Sequence, residues 1–215
     1  MPTYIEGLTM GHKNELVCGV GVNDAGYAVC NTVRVGGRSK NLWICPFYRA
    51  WTGMLERSYS AKFQARHPTY IGCTADTAWH LFSTFKEWMS RQDHEGKHLD
   101  KDILVAGNKI YSAETCAFVS KAINTFIVDS RAIRGDWPIG VSWHKGRQRF
   151  VAQCRDPFTG QHKFLGYFVS SDLAHEAWRA HKHQIALVYA DQQNDQRVAA
   201  SLRSRYAKPS FAKAA

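Results

Sequence analysis

Between positions 98 and 115 the chain gathers side chains that can hold a cation or move a proton: His98, Asp100, Lys101, Asp102, Asn108, Glu114 and Thr115. The run 98–104 reads as a short strand, and side chains two apart on a strand share a face. His98, Asp100 and Asp102 therefore line up on one side. Carboxylates with no soft ligand beside them suit a hard divalent cation such as magnesium or manganese. An imidazole accepts protons near neutral pH, whereas a lysine with an ordinary pKa of ~10.4 stays charged and can only stabilise anions.

A second cluster lies in the strand-like run 148–155. Arg149, Gln153 and Arg155 fall on one face with Val151, and Phe150, Ala152 and Cys154 fall on the other. Phe150 is expected inward and the arginine–glutamine row outward. A β-ribbon can enter the major groove of DNA and bring every second side chain onto the bases. Trp143 and Arg147 lie at the adjoining ribbon end, where they would pack on sugar and bind phosphate. Lys163, on the next strand, joins the expected DNA contacts.

The elements that must position these residues follow from local pattern. Residues 17–44 read as short strands, with turns at Asn23-Asp24-Ala25-Gly26 and Gly36-Gly37. Pro46 opens a helix over roughly 47–59, with Trp51, Met54 and Leu55 on one face. A second helix is predicted over 76–91, its core stripe formed by Trp79, Phe82, Phe85, Trp88 and Met89. After the 98–104 strand come a Gly107-Asn108 turn, a strand at 109–111 and a helix beginning at Ser112. Residues 129–138 look like a linker. Three strands at 139–144, 148–155 and 162–168 precede a helix over 170–188, with Leu173, Ala174, Ala177, Trp178, Ile185 and Leu187 on its apolar side. His175, His181 and His183 on that helix are expected to face solvent or phosphate. A last amphipathic stretch spans 191–206.

Charge favours a polyanionic partner. The net charge is +10 and the pI near 9.4. Residues 1–130 hold 14 basic against 12 acidic side chains, while 131–215 hold 14 against 6, so the excess lies almost wholly in the C-terminal part. Neutralising phosphates releases condensed counterions, which makes nucleic acid the natural ligand of such a surface. No apolar run approaches the ~18 residues of a membrane span, and the N-terminus lacks a signal-peptide core, so a cytoplasmic protein is expected. The six cysteines are scattered, and Cys18, Cys30 and Cys45 are not spaced like a zinc knuckle; buried thiols are the expectation.

Residues 139–188 resemble the apetala-two/ethylene-response-factor DNA-binding domain. The resemblance rests on Gly140-Val141, Phe150-Val151-Ala152, Leu165-Gly166-Tyr167-Phe168 and Ala174…Ala177-Trp178, in that order. Residues 98–119, HLDKDILVAGNKIYSAETCAFV, resemble the strand–turn–strand–helix core of HNH-type nucleases, and more closely a phage-encoded subgroup. Cys45-Pro46-Phe47-Tyr48, Trp51, Met54-Leu55-x-Arg57 and the Trp79…Trp88 stripe extend that likeness over most of 19–126.

These resemblances imply an α+β protein: a ββα-metal (HNH-type) nuclease core with flanking helices, then a three-stranded antiparallel sheet packed on one helix. The implied divisions are a β-rich segment at 1–45, helical support and nuclease core at 46–128, a DNA-reading domain at 139–190, and a C-terminal helix and tail at 191–215. The implied activity is metal-dependent, site-specific cleavage of double-stranded DNA by a phage homing endonuclease in its bacterial host. Magnesium or manganese would be the only cofactor, and a monomer is compatible with the reading. Asp100 matches the first metal ligand, and Asp102 would share the metal or orient a neighbour. Asn108 matches the middle asparagine, which braces the loop and positions the base. Thr115 stands at the second metal-binding position of the helix, with Glu114 as its substitute. The chain departs from the family at the base, where Lys101 replaces histidine; His98, and less favourably His94, could take that role. The alternative is a non-enzymatic DNA-binding regulator built on the same modules, which would have no use for a carboxylate aimed at phosphate. RNA is disfavoured by the ribbon geometry.

Overall fold

The computed structural model describes residues 15–36, 38–128 and 136–208. The chain is a mixed α+β protein that divides into two units, Met1–Phe118 and Val119–Ala215. The division falls ahead of the residues expected as a linker, of which 129–135 lie outside the described set.

The first unit is organised by two helices, α1 (Pro46–Tyr59) and α3 (Phe82–Ser90), with the short α2 (Ala61–Arg66) between them. Pro46 sits in the first turn of α1, where its missing N–H is no loss. Trp51, Met54 and Leu55 are fully buried at helical spacing and share one core cluster with Phe82, Phe85 and Met89. The Trp51 indole N–H donates to the Trp79 carbonyl at 2.7 Å, which satisfies the one polar atom that ring buries. Gly21 lies directly on this helix, and a β-carbon there would collide with Leu55 and Trp51. Strands β1 (Cys30–Val35) and β2 (Arg38–Ile44) form an antiparallel hairpin with a bulge at Asn31/Thr32. Two short pairs complete the unit. β3 (Thr74–Ala75) runs parallel to β5 (Ile110–Tyr111), and β4 (His98–Asp100) pairs with β6 (Ala117–Val119), whose last residue lies at the division.

Three expectations for this unit are corrected. The helix predicted over 76–91 is a 3-10 turn (Thr77–His80) followed by α3, with extended backbone at Leu81 between them. Val22 causes the break: its N–H donates to the His80 carbonyl and its carbonyl accepts from Phe82 N–H, drawing that stretch into a parallel bridge. The strand predicted over 98–104 stops at Asp100, whose own side chain caps a turn. No helix begins at Ser112. Its hydroxyl accepts from Thr115 N–H as a cap would, but a single turn follows, because Ala117, Phe118 and Val119 are all buried as strand. The helix after that strand is α4 (Lys121–Ile127), capped by Ser120, and Asn124 is a half-buried polar residue on it.

In the second unit, β7 (Val141–His144), β8 (Arg149–Arg155) and β9 (His162–Phe168) form an antiparallel sheet in sequence order. Helix α5 (Ser171–Asp191) packs on the face that buries Ala152 and Cys154, and α6 (Gln196–Arg205) packs on α5. Gly140 adopts a φ of 80° and lies against the Trp178 ring so closely that no β-carbon fits. Ala174, Trp178 and Ile185 are buried as expected, but Leu173 is exposed, and Tyr189 and Ala190 extend the apolar side beyond the predicted helix end. The α5 histidines are half-buried rather than solvent-facing: His175 lies against Trp178 and bonds the Ile139 carbonyl through Nδ1. Nε2 of His181 and Nδ1 of His183 are shielded without a hydrogen-bond partner. Among the described residues no helix is long and apolar enough to cross a membrane. Cys45, Cys73, Cys116 and Cys154 are buried, and Cys18 and Cys30 are half-buried.

Candidate functional site

Asp100 ends β4 and begins a turn. Its Oδ1 accepts from Asp102 N–H at 2.8 Å and Ile103 N–H at 2.6 Å, so one carboxylate oxygen organises the chain that follows. Burial raises the Asp100 carboxyl above the ordinary range, against the opposing pull of those two N–H groups. The turn removes Asp102 from the strand face it was expected to share. Its carboxylate instead meets the Lys101 ammonium at 2.7 Å. Lys101 is buried and also donates to the Asn108 carbonyl at 2.5 Å. Asn108 returns the link, donating through Nδ2 to the carbonyls of Lys101 at 3.0 Å and Ile110 at 2.6 Å, and accepting from Ile110 N–H at 3.1 Å. Residues 101–108 are thus a closed loop stapled at its neck.

Lys101 therefore belongs to the scaffold of the loop and has no free path to a phosphate. Lys101→Met should cost about 2–3 kcal/mol of folding stability, less than breaking a fully buried pair because Asp102 keeps contact with water. Urea unfolding of the variant checks this; an unshifted midpoint would show that the staple is dispensable.

Thr115 is also turned inward. Its hydroxyl donates to the Ile110 carbonyl at 2.7 Å and lies 3.1 Å from Ser112 Oγ, while Glu114 is exposed. Beneath them Cys116 is buried, its thiol pushed up to about 12 by burial, which leaves it an unreactive core residue. His98 is exposed on β4, two residues from Asp100, and His94 packs edge-on against Phe47. Among the described residues no three His, Cys, Asp or Glu side chains form a metal cluster. Magnesium does not need one, since it keeps several waters and binds through one or two carboxylates plus substrate phosphate. With Oδ1 of Asp100 committed to the turn, Oδ2 is the oxygen that fits such an ion.

The second candidate surface is the sheet face opposite α5. Arg149, Gln153 and Arg155 are exposed on β8, and the register sets His144 beside Arg149 and His162 beside Arg155. Two aromatic side chains share this face and were not anticipated: Phe164 beside Gln153, 56% exposed, and Tyr167 beside Val151, 41% exposed. They are three residues apart and would alternate in a regular strand. The register shift at Ala152/Gln153 leaves Leu165 unpaired and returns both to one face. The Arg147 guanidinium lies 4.8 Å from the Tyr167 ring centroid, and the rings of His144 and Phe164 lie 5.5 and 5.0 Å from it. Arginines and aromatic rings thus interleave across the sheet. Trp143 and Lys163 do not join them. Trp143 is in register with Phe150 and packs edge-on against it, and Lys163 is in register with buried Cys154, so both project on the α5 side.

One cation of this unit is turned into the core. The Lys182 ammonium lies 3.6 Å from the Phe126 ring centroid, donates to the Phe126 carbonyl at 2.7 Å, and has Trp178 and Tyr206 nearby. Burial pulls its pKa down to about 8. An unfolded lysine keeps its proton up to ~10.4. Between those values Lys182 holds more protons in the unfolded chain, so this one group contributes a rise in stability with pH across that window. It is set against the buried Cys116 thiol, which contributes a fall once an unfolded thiol ionises. Lys182→Met should remove the rise, and its gain over the parent should be larger at pH 7.5 than near pH 9.5. A difference in urea midpoint that does not change with pH would refute this assignment.

Comparison with protein-family models, with curated proteins and with solved structures found no match to the chain.

Proposed function

We propose that the protein is a metal-dependent, site-specific DNA endonuclease of the HNH-like phage homing type, acting on double-stranded DNA in the cytoplasm of a bacterial host. The observation that carries the reading is Asp100. Its carboxylate is drawn into a half-buried turn at a cost that its raised pKa records, although an asparagine could accept the same two N–H bonds without that cost. A charge kept where burial opposes it points to chemistry rather than architecture.

In the proposed mechanism Asp100 Oδ2 would hold the cation, and an imidazole nitrogen of His98 would take the proton from the attacking water. Magnesium or manganese, when bound, would supply positive charge to the scissile phosphate and the leaving oxygen. Asn108 and Lys101 would keep the loop in shape, their polar groups being bonded within it. The sheet face carrying Arg149, Gln153, Arg155, Phe164 and Tyr167 would set the core on its target. Incubating the protein with supercoiled plasmid bearing phage genes should yield nicked or linear DNA only when magnesium or manganese is present. Tight binding without any cutting, with either metal, would select the non-enzymatic regulator instead.

A further inference from the structure

We infer that the groove beside α1 is a track for the phosphates of one DNA strand, held by Arg49 and Arg57. This rests on the nuclease reading for its choice of DNA as substrate. The groove encloses about 770 Å³ in the first unit, with Arg49, Gly53 and Arg57 along one side and His94, Lys97 and His98 along the other; Glu95 is the one acid on its wall. The three α1 residues are spaced by four and so lie in one row on the helix.

Each member of the row fits a polyanion. Arg49 is exposed, and neither it nor Arg57 forms an ion pair among the described residues. Arg57 is steadied by an aromatic ring instead of an acid: its guanidinium lies 5.4 Å from the Tyr111 ring centroid, and its shielded Nε has no hydrogen-bond partner. Its charge is therefore not neutralised. Gly53 is costly inside a helix, by ~1 kcal/mol relative to alanine. Packing does not demand it, since a β-carbon there would meet nothing within 4 Å. Its effect is to keep the space between the two guanidiniums open. Eight residues of helix rise ~12 Å, the rise of three to four nucleotides of one strand at ~3.4 Å each. His98 on the groove wall lies two residues before Asp100 on β4, so the track borders the strand that carries the proposed cation-holding carboxylate.

The test uses the full chain, a random-sequence duplex and a salt series read by fluorescence anisotropy. Gly53→Glu sets a carboxylate between the two arginines, and Arg49→Gln removes one cation. Each should weaken binding about tenfold and lower the slope of log K against log salt by ~1. Lys62→Glu on exposed α2 should bind like the parent, with cooperative melting at or above the parent's temperature confirming that all variants fold. Parental affinity and slope in Gly53→Glu would overturn the inference, as would an equal loss in Lys62→Glu. The two readings fail separately. A parent that never cuts, with Gly53→Glu still losing affinity, keeps the groove and ends the nuclease; a parent that cuts, with both groove variants binding and cutting at full strength, does the reverse.

Discussion

Asp100→Asn is expected to abolish plasmid cleavage, by about 10³-fold or more, while leaving the melting temperature unchanged or slightly higher. The two effects separate because asparagine keeps a carbonyl oxygen for the N–H groups of Asp102 and Ile103 but offers no anionic oxygen to a cation. Burial raises the Asp100 carboxyl, so at neutral pH the folded state bears a charge that the unfolded state solvates better. Removing that charge relieves the fold. Asp100→Ala also loses the acceptor and should be less stable by about 1 kcal/mol. The same raised pKa means that cleavage should decline toward acid from a higher pH than an ordinary aspartate would set. Full-rate cleavage by Asp100→Asn would remove this residue from the mechanism and leave a regulator as the better reading.

The second large effect is expected on the sheet. If Arg149 and Arg155 each make paired hydrogen bonds to guanine, the double alanine variant should lose about 10²–10⁴-fold in affinity for its cognate site. On random DNA the loss should be far smaller, since only phosphate contacts remain there to be lost. Both side chains are exposed on a face whose neighbours are His144, His162, Phe164 and Tyr167, with no acid in register beside them. Competition binding with cognate and random duplexes decides the point. Equal losses on both would mean that these arginines hold the backbone and that sequence is read elsewhere.

What pattern could disclose, and what it could not, follows from where each signal resides. Helix α1 and the β7–β8–β9 sheet were legible because their periodicity and turn residues act locally: Pro46, the Trp51/Met54/Leu55 row and the Arg149/Gln153/Arg155 alternation need no distant partner. The break at Leu81 was not legible, since Val22, far away in sequence, imposes it. At Asp100 the side chain used to infer the strand is the one that ends it, so Asp102 leaves the shared face. Ser112 carries a helix-capping signal, but the burial of Ala117–Val119 as strand overrules it. Phe164 and Tyr167 escaped because a bulge shifts alternation by one residue; Gly166, with its φ of 136°, was the only hint of it. Lys101 was expected to stabilise phosphate charge, and only the folded loop reveals it as a buried donor to Asp102 and Asn108.

The stapled loop also determines when its conformational entropy is lost. Segments that a ligand must order bind weakly for the contacts they make, because immobilisation is charged against each encounter. Residues 101–108 are ordered by their own ammonium, amide and carbonyl groups. That ordering is complete when the chain folds, before any cation or phosphate arrives. A cation meeting Asp100 would find a preorganised oxygen, so its binding would not have to order the loop and would add its affinity to the stability of a chain already folded.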